Sequence, residues 1–290
     1  MGSIVLQDVL HCLTKVPSIR GLRVGNRELL CSSWIDNLYF LGESCSGVIH
    51  NLQKAESLFA SRWGLKLKSG SIFITSAQGH ADCDLPAGYV YTRIFQVLGH
   101  HIRYDGSCHA DVDHMQRGAW RKFWSGAGSK AGRKLPLFLR LQDIRRCVRP
   151  ILSYHASWWQ LTSGLISKLD RIQRKMTGCI LKLAPATDES WESYRLRRGR
   201  ECGTVARRQG LWSHHAAQRI LDWSDHIHRN HNNGWSGILF HFMGSEWFMA
   251  QRIMMNSVSA LGGRTGTRYK PGAPRTRFHD GVKVAKAHLE

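Results

Sequence analysis

The fold of the first part of this chain is decided by residues 29–41, which read Leu29-Leu30-Cys31-Ser32-Ser33-Trp34-Ile35-Asp36-Asn37-Leu38-Tyr39-Phe40-Leu41. Two apolar runs lie on either side of the Asp36-Asn37 pair. Asp and Asn tolerate the positive φ angles that tight turns require, whereas the flanking residues favour extended backbone. The pattern therefore predicts a β-hairpin whose tip is Asp36-Asn37.

The segments around this hairpin combine helical and extended patterns. Residues 44–63 carry apolar side chains at spacings of three and four, which predicts an amphipathic helix that packs on a sheet. Residues 71–75 and 91–98 are typical of strands, and residues 4–16 of a short helix that ends before a proline. The first 107 residues are therefore predicted to be a mixed α and β segment.

The periodicity becomes helical beyond about Asp111. Helices are predicted over residues 111–124, 137–161, 164–183 and 204–230, with Pro150 kinking or breaking the second of them. In the third helix an apolar stripe is predicted to face the core; it consists of Leu165, Leu169, Ile172, Met176 and Ile180. The segment after residue 262 is rich in Gly, Pro and Arg, and we expect it to be disordered by itself.

The charge of the chain is large and uneven. The formal net charge is +20, from 41 Lys+Arg and 21 Asp+Glu, and residues 117–219 alone hold 22 Lys+Arg against 6 Asp+Glu. Such a local excess favours a polyanionic partner, and nucleic acid is the first candidate. The alternative is that these residues form ordinary solvated faces that serve solubility.

The same region interleaves tryptophans with the charge. Stacking on bases is one role for them, but burial in helix packing is expected for most. These tryptophans are Trp120, Trp124, Trp158, Trp159, Trp191 and Trp212.

The cysteines and histidines do not form a recognisable metal motif. The eight cysteines contain no C-x-x-C pair, which suits a reduced intracellular protein, and no leader or apolar membrane-spanning stretch is evident. We therefore expect a soluble intracellular protein, in the nucleus or the cytoplasm. Asp82 and Asp84 lie in a polar loop, where a turn role is favoured over a carboxylate pair. The histidines of the C-terminal half suggest a metal site only weakly, and structural or surface roles are favoured; they are His214, His215, His226, His228 and His231.

Several motifs, in the same order along the chain, resemble those of one polymerase family. Residues 33–41 resemble the [FY]-x-D-D hairpin of reverse transcriptases. Residues 63–69 and 97–102 are similar to the two stretches that follow it in that family. Residues 149–159 and 169–176 resemble the thumb of non-LTR, LINE-type enzymes, and residues 219–229 and 272–280 resemble elements nearer their C-terminus.

This resemblance implies an α+β fold with four parts. Residues 1–107 would be a partial palm, with an antiparallel hairpin and strands packed by helices, and residues 108–200 a helical basic thumb. Residues 201–261 would be a helical extension, and residues 262–290 a basic tail without fixed structure.

The implied chemistry is RNA-directed DNA synthesis from dNTPs with Mg²⁺. Two-metal catalysis needs carboxylates from two palm positions. Asp36 matches the first carboxylate of the hairpin and would be a vestigial metal ligand. Asn37 stands where the second carboxylate belongs, and it is a neutral and weaker ligand for a hard cation. The earlier palm strand is not found in this sequence, so we expect no polymerisation by this chain alone.

The resemblance also implies RNA and DNA as partners, held along the basic helices, with no membrane and no other small-molecule substrate. The residues predicted to contact phosphates are Lys168, Arg171, Arg174, Lys175, Lys182, Arg195, Arg197, Arg198 and Arg200. The alternative function, from a different class, is a non-catalytic RNA- or DNA-binding module that uses this basic helical region.

Overall fold

A computed structural model describes residues 2–25, 27–34, 37–68, 70–229 and 278–289. The chain divides into two compact units, residues 1–107 and residues 108–290. This division falls at the residue where the sequence places the end of the mixed α and β segment. The described residues combine helices with small sheets, so the broad α+β class is confirmed. Among the described helices, none has both the length and the apolar character needed to cross a membrane.

The first unit contains two helices and, in its described residues, four two-stranded sheets. The helices are α1 (Gly2–Leu13) and α2 (Cys45–Trp63). The antiparallel pairs are β1 (Leu22–Val24) with β2 (Arg27–Leu29), β3 (Cys31–Trp34) with β4 (Asn37–Phe40), and β7 (Ile94–Val97) with β8 (His100–Arg103). The fourth pair, β5 (Ile72–Ile74) with β6 (Tyr89–Tyr91), is parallel.

The predicted hairpin is present, but it differs from the prediction at Asn37. Trp34 pairs with Asn37, so Asn37 is the first residue of β4 and not part of the turn. The backbone N–H of Leu41 donates to the carbonyl of Leu30 at 2.9 Å and extends the ladder. Leu29 belongs to the preceding β1–β2 pair, which the sequence did not predict.

Helix α2 begins and ends where the sequence predicts. The Ser44 side chain accepts a hydrogen bond from the backbone N–H of Gly47 and caps the first turn. Gly64 adopts a left-handed conformation with φ of 64° and stops the helix. Buried Ala55 and Phe59 pack against α1, which ends at Leu13, three residues before the predicted end.

The predicted strand over residues 91–98 is divided into β6 and β7. The Thr92 side chain forms hydrogen bonds with both the backbone N–H and the carbonyl of Ile94, which turns the chain between the two strands. The β7–β8 hairpin then closes through Leu98 and Gly99, which both have positive φ angles, of 50° and 87°. A two-residue turn with this geometry matches the twist of the strands that it connects.

The second unit is helical throughout its described residues. Its α-helices are α3 (His109–Ser125), α4 (Leu137–Asp143), α5 (Arg149–Ser153), α6 (Ser163–Leu181), α7 (Trp191–Arg208), α8 (Trp212–Arg229) and α9 (Phe278–Leu289). Short 3₁₀ turns lie at Gly132–Lys134 and Ala156–Trp158. The predicted apolar stripe of α6 is buried at all five positions, and it joins the core of this unit.

The structure confirms the predicted interruption of one helix in this unit and corrects the bounds of another. The helix expected over residues 137–161 is interrupted near Pro150, as predicted. It consists of α4, a π turn over Ile144–Val148, and α5, because Pro150 has no N–H to continue the regular ladder, and α5 ends at Ser153. The helix expected over residues 204–230 becomes α7 and α8, which are separated at Gly210, where φ is 81°.

The tail expected to be disordered contains helix α9, whose buried Ala285 packs in the core beside α8. The apolar face of α9 accounts for this, since its burial offsets the cost of ordering the backbone. Residues 262–277 lie outside the described residues.

Two buried polar side chains connect these helices. Asp111 of α3 is fully buried and accepts hydrogen bonds from His155 Nδ1 and Trp159 Nε1, each at 2.9 Å. Gln173 of α6 is only 1% exposed. Its Nε2 donates to the carbonyls of Ala206 and Gly210 at 3.2 and 3.0 Å, and its Oε1 accepts from the Trp212 N–H at 3.1 Å. Gln173 therefore positions the end of α7 and the start of α8 on α6.

Candidate nucleic-acid interface

Helices α6 and α7 pack closely because a glycine lies at their contact. A Cβ atom added to Gly178 of α6 would lie 3.1 Å from Arg198 Nη2 and 3.4 Å from Cys202 Sγ. These separations are tighter than or equal to ordinary van der Waals contact, so Gly178 leaves little more than the space that the Arg198 and Cys202 side chains occupy. The close approach brings the basic faces of both helices around a shared groove.

A cationic groove runs between the two helices. We define it as the joined surface of two shallow cavities, of about 340 and about 460 Å³, which share Arg174, Arg195 and Gly199. The basic side chains that line it are Arg171, Arg174, Lys175, Arg195, Arg198, Arg200 and Arg207. Gly199 leaves the space above α7 open, since no atom lies within 4 Å of where its Cβ would be. The groove is therefore open to solvent above Gly199.

In the part of the chain that the structure describes, no acidic side chain forms an ion pair with the cationic groove. None of its seven basic side chains forms an ion pair with a described carboxylate. Several like charges that are held together on a rigid surface create a strong local positive potential. An anionic ligand would relieve this repulsion, and guanidinium groups match the oxygens of phosphate.

An exposed aromatic side chain lies at the edge of the cationic groove. Trp191, the first residue of α7, lines the groove and is 67% exposed. Its ring centroid lies 5.4 Å from that of Tyr194, whose hydroxyl donates to the carbonyl of Leu183 at 2.8 Å. Of the other predicted tryptophans, Trp159 and Trp212 are buried, as expected for packing residues, Trp120 and Trp158 are half-buried, and Trp124 is exposed. Trp191 therefore offers a π face beside the cations, where a base could stack.

Six of the nine predicted phosphate-binding residues lie on the cationic groove. They are Arg171, Arg174, Lys175, Arg195, Arg198 and Arg200. Lys182 is exposed at the C-terminal cap of α6, where its φ angle is 48°. Arg207, which the sequence did not single out for this role, joins the groove from the last turn of α7.

The other two predicted residues have protein partners. Lys168 forms an ion pair with Asp113 of α3. Arg197 donates to both carboxylate oxygens of Glu189, at 2.9 and 2.6 Å, and to the carbonyl of Ala184 at 2.8 Å. These hydrogen bonds hold the pKa of the Glu189 carboxyl down at about 2. Arg197 therefore stabilises the α6–α7 loop, and its predicted phosphate contact would compete with that role.

The predicted metal position of the hairpin cannot be placed. Asp36 lies outside the described residues, while Asn37 is exposed at the start of β4. Magnesium binding at this hairpin stays a prediction.

The described histidines of the C-terminal half make contacts of a structural kind. The His214 ring packs edge-on against that of His288, with centroids 4.5 Å apart, and His226 stacks on Trp223. Burial lowers the pKa of His215. The His228 side chain and His231 lie outside the described residues.

The chain was compared with protein-family models, with curated proteins and with solved structures, and no match was found in any of the three comparisons. The resemblance to reverse transcriptases therefore stays a prediction that depends on the quoted motifs.

Proposed function

We propose that this chain is a non-catalytic RNA- and DNA-binding protein of reverse-transcriptase descent, and that it binds the sugar-phosphate backbone in the cationic groove. The observation that carries this proposal is the convergence of seven basic side chains from α6 and α7 on one groove, without a described acidic partner. Residues that served solubility alone would favour mixed charges of both signs.

The groove would supply affinity and not sequence recognition. Phosphate contacts from Arg and Lys release counterions and fix the position of the strand, but they carry little information about the bases. Trp191 would add stacking on one base, which is worth about 1–3 kcal/mol and tolerates any sequence. Stacking on an exposed ring requires an unpaired base, so single strands and duplex ends would be preferred over a continuous duplex.

The test is the salt dependence of binding, measured by fluorescence anisotropy with labelled single-stranded RNA, single-stranded DNA and an RNA–DNA duplex. Log affinity should fall linearly with log salt, with a slope of about −0.7 for each phosphate contact on a single strand. The Arg174→Gln/Arg198→Gln double variant should reduce the size of that slope by about 1.4.

The matched control is Arg208→Gln, which removes an exposed arginine of the same helix that does not line the groove. Its slope should match that of the unaltered chain. The proposal would be contradicted by an affinity that does not change with ionic strength, or by an Arg208→Gln variant whose slope is reduced as much as that of the double variant.

A second candidate, polymerase activity, is favoured only by the β3–β4 hairpin. Its register places Asn37 directly after the turn, where the resemblance would put a second carboxylate. A primer-extension assay with Mg²⁺ and dNTPs should show no incorporation by the unaltered chain or by Asn37→Asp, because two-metal catalysis needs carboxylates from two palm positions and the resemblance identifies only the hairpin position. Robust synthesis by either protein would overturn the non-catalytic assignment.

A further inference from the structure

Two cysteines that are distant in sequence meet an aspartate in the first unit. Cys45 is the first residue of α2, and Asp82 and Cys83 lie in the loop between β5 and β6. One ligand atom from each of the three side chains lies within 4.8 Å of the other two. Cys45 is 8% exposed and packs with Ile49 and Ile74, whereas Asp82 is exposed. The cluster is therefore anchored in a small apolar core and open to solvent on its carboxylate side.

The three groups are chemically matched to a borderline-soft cation. Thiolates and carboxylates are both ligands of Zn²⁺, whereas Mg²⁺ avoids sulfur. Tetrahedral zinc with Zn–S bonds of about 2.3 Å separates two sulfurs by about 3.8 Å, so the donors need to move by only about 1 Å or less.

We propose that Cys45, Asp82 and Cys83 form a site for one Zn²⁺-class divalent ion, with water in the fourth coordination position. Binding would release the two thiol protons and join the β5–β6 loop to the start of α2, across the 36 residues of chain between positions 45 and 82. The Asp82 carboxylate favours this assignment over a disulfide, because a Cys45–Cys83 disulfide would give no role to the third donor. The proposal is independent of the cationic groove, which belongs to the other unit.

The experiment is a titration of the reduced, full-length chain with Co²⁺, whose thiolate-to-metal charge-transfer absorption reports sulfur ligands. One equivalent should bind with the absorption of two thiolates, and Zn²⁺ should displace it. Cys45→Ser and Cys83→Ser should each weaken Co²⁺ affinity by at least about tenfold and reduce the charge-transfer band. Asp82→Asn should weaken affinity while leaving that band largely in place.

Two variants serve as matched controls in the same unit. Cys31→Ser removes a half-buried thiol outside the cluster, and Asp84→Asn removes the neighbouring exposed carboxylate of the same loop. Neither should change the titration. The circular dichroism spectrum of each variant checks that it is folded, and the partly exposed Cys83 provides a test even if the buried Cys45 variant does not fold.

A reduced chain that takes up no Co²⁺ overturns the metal site, whether or not mass spectrometry finds a Cys45–Cys83 disulfide in the unreduced chain. A charge-transfer band that persists in both cysteine variants overturns it as well. Removal of metal with a chelator should leave the affinity for nucleic acid unchanged. A negative result for the metal site therefore does not contradict the proposed function, and a negative result for nucleic-acid binding does not contradict the metal site.

Discussion

Replacing Gln173 with leucine should destabilise the helical unit more than any comparable change on the exposed face of α6. Leucine has a similar volume, so little cavity forms, but it removes three hydrogen bonds to backbone groups of α7, of α8 and of the turn between them. The carbonyls of Ala206 and Gly210 and the N–H of Trp212 would lose this partner in or beside the core, since Gln173 is only 1% exposed. The variant therefore separates the polar contribution from packing.

The size of the expected destabilisation follows from these three hydrogen bonds. A buried hydrogen bond contributes about 1 kcal/mol net, and leaving a buried partner unsatisfied costs about 1–3 kcal/mol. Water can reach the turn at exposed Gly210, which limits part of the penalty. We expect Gln173→Leu to lower the free energy of unfolding by about 3 kcal/mol.

Urea unfolding followed by circular dichroism measures this change, with the m-value checked for constancy. Ser167→Ala, at an exposed position of the same helix, is the control and should change stability by less than about 0.5 kcal/mol. A loss below about 1 kcal/mol for Gln173→Leu would refute the reasoning, because the hydrogen bonds would then not hold α7 and α8 on α6.

Three further outcomes can be checked by the same unfolding measurements. Asp111→Ala leaves two buried ring N–H donors without their carboxylate, so it should lower the free energy of unfolding by about 3 kcal/mol or more. Asp113→Ala breaks only a part-exposed ion pair and should lower it by at most about 1 kcal/mol, and equal losses for the two variants would contradict the burial argument. Glu189 has a pKa of about 2 in the folded chain against 4.5 for the free side chain, so its contribution to stability should be complete above pH 4.5 and decline as the pH falls towards 2. Glu189→Gln should remove this part of the acid dependence of unfolding, and an unchanged pH profile would exclude the Glu189–Arg197 pair as its source. Gly199→Ala should raise the free energy of unfolding by about 0.5–1 kcal/mol, because the added methyl group meets no atom within 4 Å and alanine favours the helix. A decrease in stability would show that position 199 needs glycine for another reason.

Local patterns predicted much of the fold correctly. The apolar spacing predicted α2 and the buried stripe of α6, because in both cases one face of the helix is apolar and the other polar. The part of α7 before residue 204 was missed because this helix carries arginines around most of its circumference and two glycines, so that it has no clear apolar face. Its position depends on Gln173 and on the close contact at Gly178, and neither contact is visible in local periodicity.

The candidate sites were also predicted only in part from the sequence. The excess of basic residues on α6 and around Arg195 is evident from the sequence, and it is sufficient to suggest a phosphate-binding surface. Only the folded chain separates Arg198, which lines the groove, from its neighbour Arg197, which is held by Glu189. The convergence of Cys45 with Cys83 has no local signal, since the two residues are brought together by the packing of a loop on a helix.

The sequence by itself determined helix α2, the buried stripe of α6, the hairpin around residues 31–40 and the strongly basic character of residues 117–219. These properties follow from backbone preferences and from charge, which act between residues that are close along the chain. The tertiary structure decided which cations share a groove, which are neutralised by a carboxylate, and which thiols meet. Those properties depend on contacts between residues distant in sequence, and such contacts form only when the helices and loops pack.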